Sequence, residues 1–258
     1  MSGPSKLIAP DEPSPVTVTN VGGKSPYLIL ADHAGNYIPR SLQRLGISAA
    51  DSERHICWDI GAGAVCEQLA IALDAVLIRQ NFSRLVIDCN RPPRSESSIV
   101  ELSEHTQVPG NIGIDEAQIE SRIEQVFQPY HETIGQELDR RQQKKRPTVL
   151  VAMHSFTPAF KGIVRPWHAG VLYNRNPHFA HIVLDLLRSR ESLIIGDNEP
   201  YSVDDTSDYT IPVHGEQRHL DHVAIEIRQD LISDAAGQRT WARLLEDLLP
   251  VAYRKLGA

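Results

Sequence analysis

Four segments of the chain carry side chains that could act together, in the order His, Asn-Arg, His, Glu. Each segment is an apolar run, typical of a buried strand, with a polar residue near its end or just beyond it. These residues are His33, Asn90 with Arg91, His154 and Glu226. Two imidazoles can hold a metal ion, a guanidinium can hold a carboxylate, and a glutamate can move a proton. These are the side chains that a zinc-dependent amide hydrolase needs.

A zinc ion in a hydrolase usually takes three protein ligands and keeps its fourth position for water. His33 and His154 supply two ligands, so a third is needed. We expect Asp59 in that role, because it is a carboxylate in mostly apolar company on a predicted helix that faces the same region. Asn36 lies three residues after His33, but a neutral amide oxygen is a poor zinc ligand. Two lesser alternatives precede the last predicted strand, His214 and Glu216.

Asn90 and Arg91 are predicted to bind the substrate. The planar guanidinium of an arginine matches a carboxylate in two parallel hydrogen bonds. Arg165 is the next candidate for substrate binding, and Arg84 and Arg228 offer further positive charge. An alternative role for Arg91 is a salt bridge to a neighbouring helix.

Glu226 is the predicted general base. It lies in an otherwise apolar strand, where loss of hydration should raise its pKa toward the range that suits proton transfer. Its alternative role is that of a buried partner for an arginine.

The elements that must position these residues alternate between strands and helices. Apolar runs predict buried strands over residues 27–31, 75–78, 85–87, 148–152, 169–173, 193–195 and 222–227. Helical spacing predicts helices over residues 51–73, 115–143, 177–188 and 237–256. This alternation predicts one α/β domain with a mixed, mostly parallel sheet flanked by helices. Ligands of such sheets bind outside the carboxyl ends of the strands, where the four segments place their polar residues.

Two regions differ in composition. Residues 1–15 are rich in Ser, Pro and charge, which predicts a flexible N-terminal arm. Residues 16–258 would then form the catalytic domain.

Composition excludes several classes of function. The formal net charge is −7, with 26 Lys and Arg against 33 Asp and Glu, so no broad basic field exists for a nucleic acid or an anionic membrane. No apolar run approaches the roughly 18 residues needed to span a bilayer. The three cysteines form no Cys-x-x-Cys motif, and residues 1–15 lack the apolar stretch of a signal peptide, which predicts a cytoplasmic protein. Nothing in the pattern indicates an oligomeric state.

At the residues singled out above, the chain resembles the N-formylglutamate amidohydrolase family. The resemblance extends from about residue 26 to residue 232, and its most specific motif is the Ser-Arg…Asp-x-Asn-Arg-Pro string over residues 83–92. The other matching motifs lie at residues 32–35, 58–62, 154–156 and 226–230. More distantly, the order of the residues is similar to that in zinc carboxypeptidases and aspartoacylases. The chain departs from the carboxypeptidase pattern at Asn36, where that group has Glu.

The resemblance implies a phosphorylase/hydrolase-like α/β fold, one Zn²⁺ ion and hydrolysis of a small N-acyl amino acid such as N-formyl-L-glutamate. His33 and His154 would be zinc ligands, Arg91 the carboxylate clamp and Glu226 the base. The rival hypothesis is a non-catalytic binding protein or sensor for acidic amino-acid derivatives, which would keep Arg91 and lose the metal.

Overall fold

The computed structural model describes residues 6–257, which form a mixed sheet covered by helices on both faces. The strands of this region are β1 (Val16–Thr19), β2 (Tyr27–Ala31), β3 (Val76–Gln80), β4 (Leu102–Ser103), β5 (Thr106–Gln107), β6 (Val149–Phe156), β7 (Ala159–Phe160), β8 (Ile163–Val164), β9 (Ala169–Leu172), β10 (Ile195–Asp197) and β11 (Asp221–Arg228). The main sheet has the strand order β1-β3-β2-β6-β11-β9-β10, and β4–β5 and β7–β8 are separate hairpins.

The α-helices of the described residues are α1 (Ala49–Ser52), α2 (Ala62–Ala72), α3 (Glu116–Arg122), α4 (Gln128–Gln143), α5 (His178–Arg188) and α6 (Ala235–Leu256). Two π-helical segments accompany them, Ile123–Phe127 between α3 and α4 and Ile211–Glu216 before β11. Short 3₁₀ turns occur at Arg40–Gly46, Pro109–Asn111 and Gln229–Leu231. Within residues 6–257, no helix has the length and apolar character needed to cross a bilayer.

The central strands β3, β2, β6 and β11 run parallel to one another. β1 joins one edge antiparallel to β3, and β9 pairs antiparallel with β11 on the other side, with β10 parallel to β9. The prediction of a mixed, mostly parallel sheet flanked by helices in a single α/β domain is therefore confirmed.

Each central strand is buried on both faces, which explains the continuous apolar runs. In β2, for example, Ile29 faces the core formed with α2, α5 and α6, whereas Leu28 and Leu30 face the core formed with α4. The parallel strands point their carboxyl ends to one edge of the sheet, and that edge carries the predicted site.

The predicted strand at residues 85–87 is wrong, because residues 84–86 form a turn. The Val86 N–H donates to the Ser83 carbonyl at 2.9 Å, and the Leu85 N–H donates to Ser83 Oγ at 3.2 Å. Leu85, Val86 and Ile87 are apolar because they pack into the core on the α4 side, not because they pair with another strand. Asn90 and Arg91 therefore lie in a loop that does not follow a strand.

The predicted helix over residues 51–73 is also wrong in its first half. Residues 53–61 form turns between α1 and α2, and Ile56 and Cys57 are buried there, which imitates helical spacing. Gly61 has φ +81°, a left-handed conformation that favours glycine. Asp59 consequently lies in a loop and not on a helix.

Other boundaries moved by a few residues, of which three examples follow. The strand predicted at 148–152 continues as β6 to Phe156, so His154 lies inside it. The strand predicted at 193–195 is β10, which begins at Ile195. The helix predicted at 237–256 is α6, which begins at Ala235.

Residues 1–5 of the expected N-terminal arm lie outside the described residues. Leu7, within the remainder of that arm, is buried on the α4 side of the molecule. Its N–H donates to Gln125 Oε1 at 2.9 Å, and its carbonyl accepts from Ser41 Oγ at 2.6 Å.

Candidate functional site

A cavity of about 450 Å³ opens at the carboxyl edge of the central strands. Six of the seven side chains singled out for chemistry line it: His33, Asp59, Asn90, Arg91, His154 and Glu226. They come from the loop after β2, the turns before α2, the loop after residue 87, and the adjacent strands β6 and β11. The fold thus brings together residues that are far apart in the chain.

His33, Asp59 and His154 form a buried cluster at the centre of this cavity, with one potential ligand atom of each within 4.8 Å of the others. Asp59 Oδ2 lies 3.3 Å from His33 Nδ1 and 2.9 Å from His154 Nδ1. The two imidazole rings are 5.1 Å apart between centroids. Both histidines therefore present Nδ1 to the same carboxylate oxygen.

The outer nitrogens of the two rings each face a further carboxylate. His33 Nε2 lies 2.7 Å from Asp88 Oδ1, and His154 Nε2 lies 3.4 Å from Asp32 Oδ2. The Tyr130 hydroxyl donates to the other oxygen of Asp32 at 2.8 Å. A carboxylate at the outer nitrogen fixes the orientation of a ring whose inner nitrogen is free to bind a metal.

Asp59 is positioned by the backbone around it. Its N–H donates to the His33 carbonyl at 2.9 Å, and its Oδ2 accepts from the Ser155 N–H at 3.4 Å. Gly61 allows this loop to approach the segment after β11, because a Cβ atom at Gly61 would lie 2.1 Å from the Ile232 carbonyl oxygen. The loop is thus packed against the segment after β11 so closely that Gly61 cannot be replaced by a larger residue.

Gly35 has a similar role after His33. A Cβ atom there would lie 1.9 Å from the Asn81 carbonyl oxygen, so the loop that carries His33 can rest against the end of β3 only with glycine at this position.

Glu226 lies beside the cluster on β11, and its Cα partner across the β6–β11 ladder is His154. Within the described region its Oε2 is buried and has no hydrogen-bond partner. Burial raises the pKa of the Glu226 carboxyl to about 7, against the opposing effect of His154. The structure therefore places an unpaired carboxylate oxygen directly beside the His33–Asp59–His154 cluster.

The charged groups of the cluster shift one another's pKa values. Burial would lower the pKa of His154, but Asp32 and Asp59 raise it well above its ordinary value. Burial would raise the pKa of Asp32, but the hydrogen bond and charge of His154 lower it to about 2. Burial likewise opposes ionisation of Asp59, yet the charge of His33 and the hydrogen bond from His154 hold its pKa below its ordinary value.

Asn90 and Arg91 reach across the cavity to the loop before the second π-helical segment. Asn90 Oδ1 accepts from the backbone N–H groups of Tyr209 (3.2 Å) and Thr210 (3.0 Å). Arg91 Nη1 donates to the Ser207 carbonyl at 2.6 Å and lies 3.2 Å from Asp208 Oδ1. Asn90 therefore holds this loop in place, and among residues 6–257 neither Nη2 nor Nε of Arg91 has a hydrogen-bond partner.

Arg165, the seventh predicted residue, does not line the cavity as far as the described residues define it. Its guanidinium lies 4.9 Å from the ring centroid of Phe160 and 4.8 Å from that of Tyr201, and both of these rings line the cavity. The rings of Phe160 and Tyr201 thus lie between Arg165 and the cavity.

The alternatives for a third ligand lie elsewhere. The Asn36 amide donates to the Ser52 carbonyl, His214 Nε2 lies 3.0 Å from His131 Nδ1, and Glu216 Oε1 accepts from the Arg175 N–H.

Three residues of this site were missed as functional candidates or given no specific role: Asp32, Arg84 and Asp88. Arg84 holds Asp88 through Nε and Nη2 at 3.0 and 2.6 Å, and its Nη1 lies 3.7 Å from Asp59 Oδ1. All three stand inside motifs of the family resemblance, which was the available signal. Their role depends on contacts across the fold that spacing along the chain does not reveal.

The donor set fits a divalent metal such as zinc, whose usual ligands are imidazole nitrogen and carboxylate oxygen. Ligands bonded to a tetrahedral zinc at about 2.1 Å lie about 3.4 Å from one another. The separations of 3.3 and 2.9 Å around Asp59 Oδ2 are close to that value. The carboxylates at the outer nitrogens complete the arrangement common around zinc-bound histidines.

Comparison with known proteins gives a consistent result. The family model for N-formylglutamate amidohydrolase matches residues 25–233. Gene product Atu2144 from Agrobacterium tumefaciens is a similar solved structure, with 34% sequence identity, a TM-score of 0.95 and coverage of 98% of this chain and 100% of that chain. An N-formylglutamate amidohydrolase from Ralstonia eutropha JMP134 shares the fold, with 18% identity, a TM-score of 0.65 and coverage of 95% and 100%. No curated protein matches the chain.

The family match covers most of the chain and includes every residue of the cluster described above. It confirms the resemblance predicted from the motifs, and the shared fold of the solved structures agrees with it. The chain therefore belongs to the N-formylglutamate amidohydrolase family.

Proposed function

We propose that this protein is a zinc-dependent amidohydrolase that cleaves the amide bond of an N-acyl amino acid, the class of compounds to which N-formyl-L-glutamate belongs. The products are formate, or another carboxylate, and the free amino acid. The observation that carries the proposal is the convergence of His33 Nδ1, His154 Nδ1 and Asp59 Oδ2 beside Glu226 in one cavity. Membership of the family supports the same chemistry.

His33, Asp59 and His154 would hold the zinc ion, which when bound supplies a Lewis acid and a water molecule whose pKa is lowered to about 7. Asp88 and Asp32 would keep the two imidazole rings in the orientation that presents Nδ1 to the ion. The neutral amide of Asn36 is not needed in this arrangement.

Glu226 would act as the general base. Its unpaired Oε2 would accept a proton from the water molecule as the water oxygen forms a bond to the acyl carbon. The carboxyl would then return this proton to the leaving nitrogen as the C–N bond breaks. One carboxylate beside the reacting atoms thus serves both halves of the reaction.

Arg91 would bind the carboxylate of the substrate through the donors that Ser207 and Asp208 leave free. Asn90 would support it by holding the loop that carries those two partners. Arg165 would contribute to binding through Phe160 and Tyr201, the aromatic rings that separate it from the cavity.

The test is an assay of amine release from N-formyl and N-acetyl amino acids, with metal-free protein and with protein reloaded with Zn²⁺. Hydrolysis should depend on the metal. In the reloaded protein, Glu226→Gln should lower kcat by about 10²–10⁴ while zinc stays bound, because glutamine has a similar shape but cannot accept the proton.

Glu191→Gln is the matched control, since Glu191 is exposed on the surface and should leave kcat unchanged. Near-normal turnover of the Glu226→Gln variant would assign Glu226 a structural role. Binding of N-acyl amino acids without any hydrolysis would contradict the proposal and favour a sensor or binding protein.

A further inference from the structure

The cavity contains an apolar compartment next to the proposed reacting groups. We define the apolar compartment by five buried side chains that form one small cluster and also line the cavity: Ala152, Leu172, Val203, Ile211 and Ala224. They stand apart from the two large cores on either side of the sheet. Apolar side chains that line a cavity provide a surface that an apolar group of a ligand can cover.

The sheet register places the apolar compartment immediately beside the proposed base. In the β6–β11 ladder, Ala152 pairs with Ala224 and His154 pairs with Glu226. On its other side, Ala224 pairs with Leu172 of β9. Side chains two residues apart on a strand share a face and lie about 6.6 Å apart along it. The floor of the compartment is thus the row of side chains next to His154 and Glu226.

Polar side chains border the apolar compartment, among them the carboxyl groups of Asp32 and Glu226 and the imidazole of His154. Thr210, which precedes Ile211, donates its hydroxyl to Asp32 Oδ1 at 2.9 Å, and the other oxygen of Asp32 faces His154. Glu226 Oε2, one row along the strand, has no partner in the part of the chain described. The five apolar side chains offer no hydrogen bond to a second carboxylate of a substrate, so burial of such a group against them would cost free energy.

Among the described residues, the two arginines that line the cavity are paired with carboxylates: Arg84 binds Asp88, and Arg91 lies against Asp208. The five side chains of the apolar compartment carry no polar atom of their own, so their surface suits carbon.

We propose that the substrates of this enzyme carry a compact apolar substituent, on the acyl group or on the amino-acid side chain, and that the apolar compartment binds it. The inference rests on the proposed function, since it specifies the substrate class of the same site. A formyl group offers a single carbon atom to this surface, and a glutamate side chain brings a carboxylate. The substrate class is therefore an N-acyl amino acid with one carboxylate for Arg91 and an apolar group of a few carbon atoms.

Two substrate series, assayed with the zinc-loaded enzyme, separate the two sources of the apolar group. One series is N-formylglycine, N-formylalanine, N-formyl-leucine and N-formylglutamate, and the other is N-formyl-, N-acetyl- and N-butyrylglycine. We expect kcat/KM to rise about fourfold for each methylene buried, along one of the two series. A rise in the first series assigns the compartment to the amino-acid side chain, and a rise in the second assigns it to the acyl group.

Ala224→Val tests the location, because the added methyl groups would fill the floor of the compartment. Val223→Ile is the matched control. Val223 directly precedes Ala224 on β11, and its side chain packs on the other face of the sheet, in the core formed with α2, α5 and α6. The measured quantity is the ratio of kcat/KM for the longest and shortest apolar members of the favoured series, which does not depend on how much of the protein is folded. It should fall about fifteenfold in Ala224→Val, roughly the loss of two buried methylenes, and stay within about twofold in Val223→Ile.

A kcat/KM that is highest for N-formylglutamate, a kcat/KM that rises along neither series, or an unchanged ratio in Ala224→Val would overturn this inference and leave the proposed function standing. Absence of hydrolysis in every substrate of both series would overturn the proposed function together with it.

Discussion

Each imidazole of the candidate metal site is held between two carboxylates. His33 lies between Asp59 and Asp88, and His154 lies between Asp59 and Asp32. Rotation of either ring would break a contact at its outer nitrogen, so both Nδ1 atoms are kept toward Asp59. At the scale of single residues, the candidate site thus holds both rings in the orientation that the proposed metal would require.

Loss of either histidine should therefore abolish metal binding. His33→Ala and His154→Ala should each reduce bound zinc from about one ion per chain to near zero after dialysis, because two protein ligands hold a catalytic zinc too weakly. Elemental analysis of the purified protein measures this. His178→Ala, at an exposed position on α5, is the control and should keep its zinc. Full occupancy in either cluster variant would refute the ligand assignment.

Arg91→Lys should weaken binding of the substrate although the charge is kept. Lysine lacks the planar fork that binds a carboxylate with two hydrogen bonds, so kcat/KM should fall by at least about tenfold, mainly through KM. Steady-state kinetics with an N-formyl amino acid measure the effect.

Arg94→Lys is the control for that variant, since Arg94 is exposed and pairs with Glu116 and Glu120. Wild-type kcat and KM in Arg91→Lys would mean that another residue binds the carboxylate, and Arg165 would be the next to substitute.

At the scale of secondary-structure elements, the second π-helical segment lines the cavity with Ile211 and is connected to α4, which follows the first π-helical segment. His131, which follows the first on α4, stacks on His214 of the second with an interplanar angle of 11°. His131 Nε2–H donates to the Cys89 carbonyl at 2.8 Å, so its Nδ1 accepts from His214 Nε2–H at 3.0 Å. This chain of hydrogen bonds holds the backbone just before Asn90, and π-helical turns often occur at such functional positions.

This histidine pair should make the protein less stable in mild acid. Burial lowers the pKa of His131 to about 4 and that of His214 to about 3. The unfolded chain, in which a histidine has a pKa of about 6.5, takes up protons first as the pH falls. Their contribution to stability is thus complete above pH 6.5 and is lost progressively toward pH 4, at about 1.4 kcal/mol per pH unit for each histidine.

Urea unfolding between pH 7 and pH 5 measures this dependence. The double variant His131→Gln with His214→Gln should show a shallower decline of the unfolding free energy over this interval, because it has no proton to take up at these positions. Equal slopes in the two proteins would contradict the lowered pKa values.

The predicted elements succeeded where a strand is buried on both faces and failed where burial occurs without regular structure. The run at 27–31 is apolar because both faces of β2 are covered, and it was correctly predicted. The run at 85–87 is equally apolar but packs from a turn held by Ser83. A run of apolar residues indicates that the segment is buried. Whether it also forms a strand depends on pairing with other segments, and a single sequence does not show that pairing.

At the scale of the whole molecule, metal binding should be coupled to stability. The cluster residues come from distant parts of the chain, so the unfolded chain has no assembled site. Zinc at about a thousand times its dissociation constant would add about 4 kcal/mol to the free energy of unfolding, which corresponds to a rise in Tm on the order of 10 °C. Thermal unfolding before and after chelation, followed by zinc reloading, measures the change.

His33→Ala serves as the control for that measurement, because its Tm should be insensitive to chelation. A Tm that does not change with metal in the wild-type protein would contradict the proposed site.

The alternation of strand and helix patterns predicted the architecture, and the order of the motifs placed His33 and His154 at one edge of the sheet, where their ring centroids lie 5.1 Å apart. The choice of Asp59 over Asn36 rested on ligand chemistry, although its expected helix proved to be a loop. The contacts of Asp32 with His154 and of Asp88 with His33 join distant parts of the chain, so the sequence did not indicate a role for these two carboxylates.

The position of β11 has a consequence for how the protein is made. This strand is the last of the sheet in chain order, yet it lies in the interior, between β6 and β9. During synthesis on the ribosome, β9 and β10 therefore have no path into the sheet until residue 228 has emerged, and the edge of β6 stays open meanwhile. His33, Asp59 and His154 have been synthesised by then, whereas Glu226 arrives with the strand that closes the gap. The proposed metal ligands thus leave the ribosome before the carboxylate proposed to act beside them, although the Asp59 loop gains its packing against Ile232 only after β11.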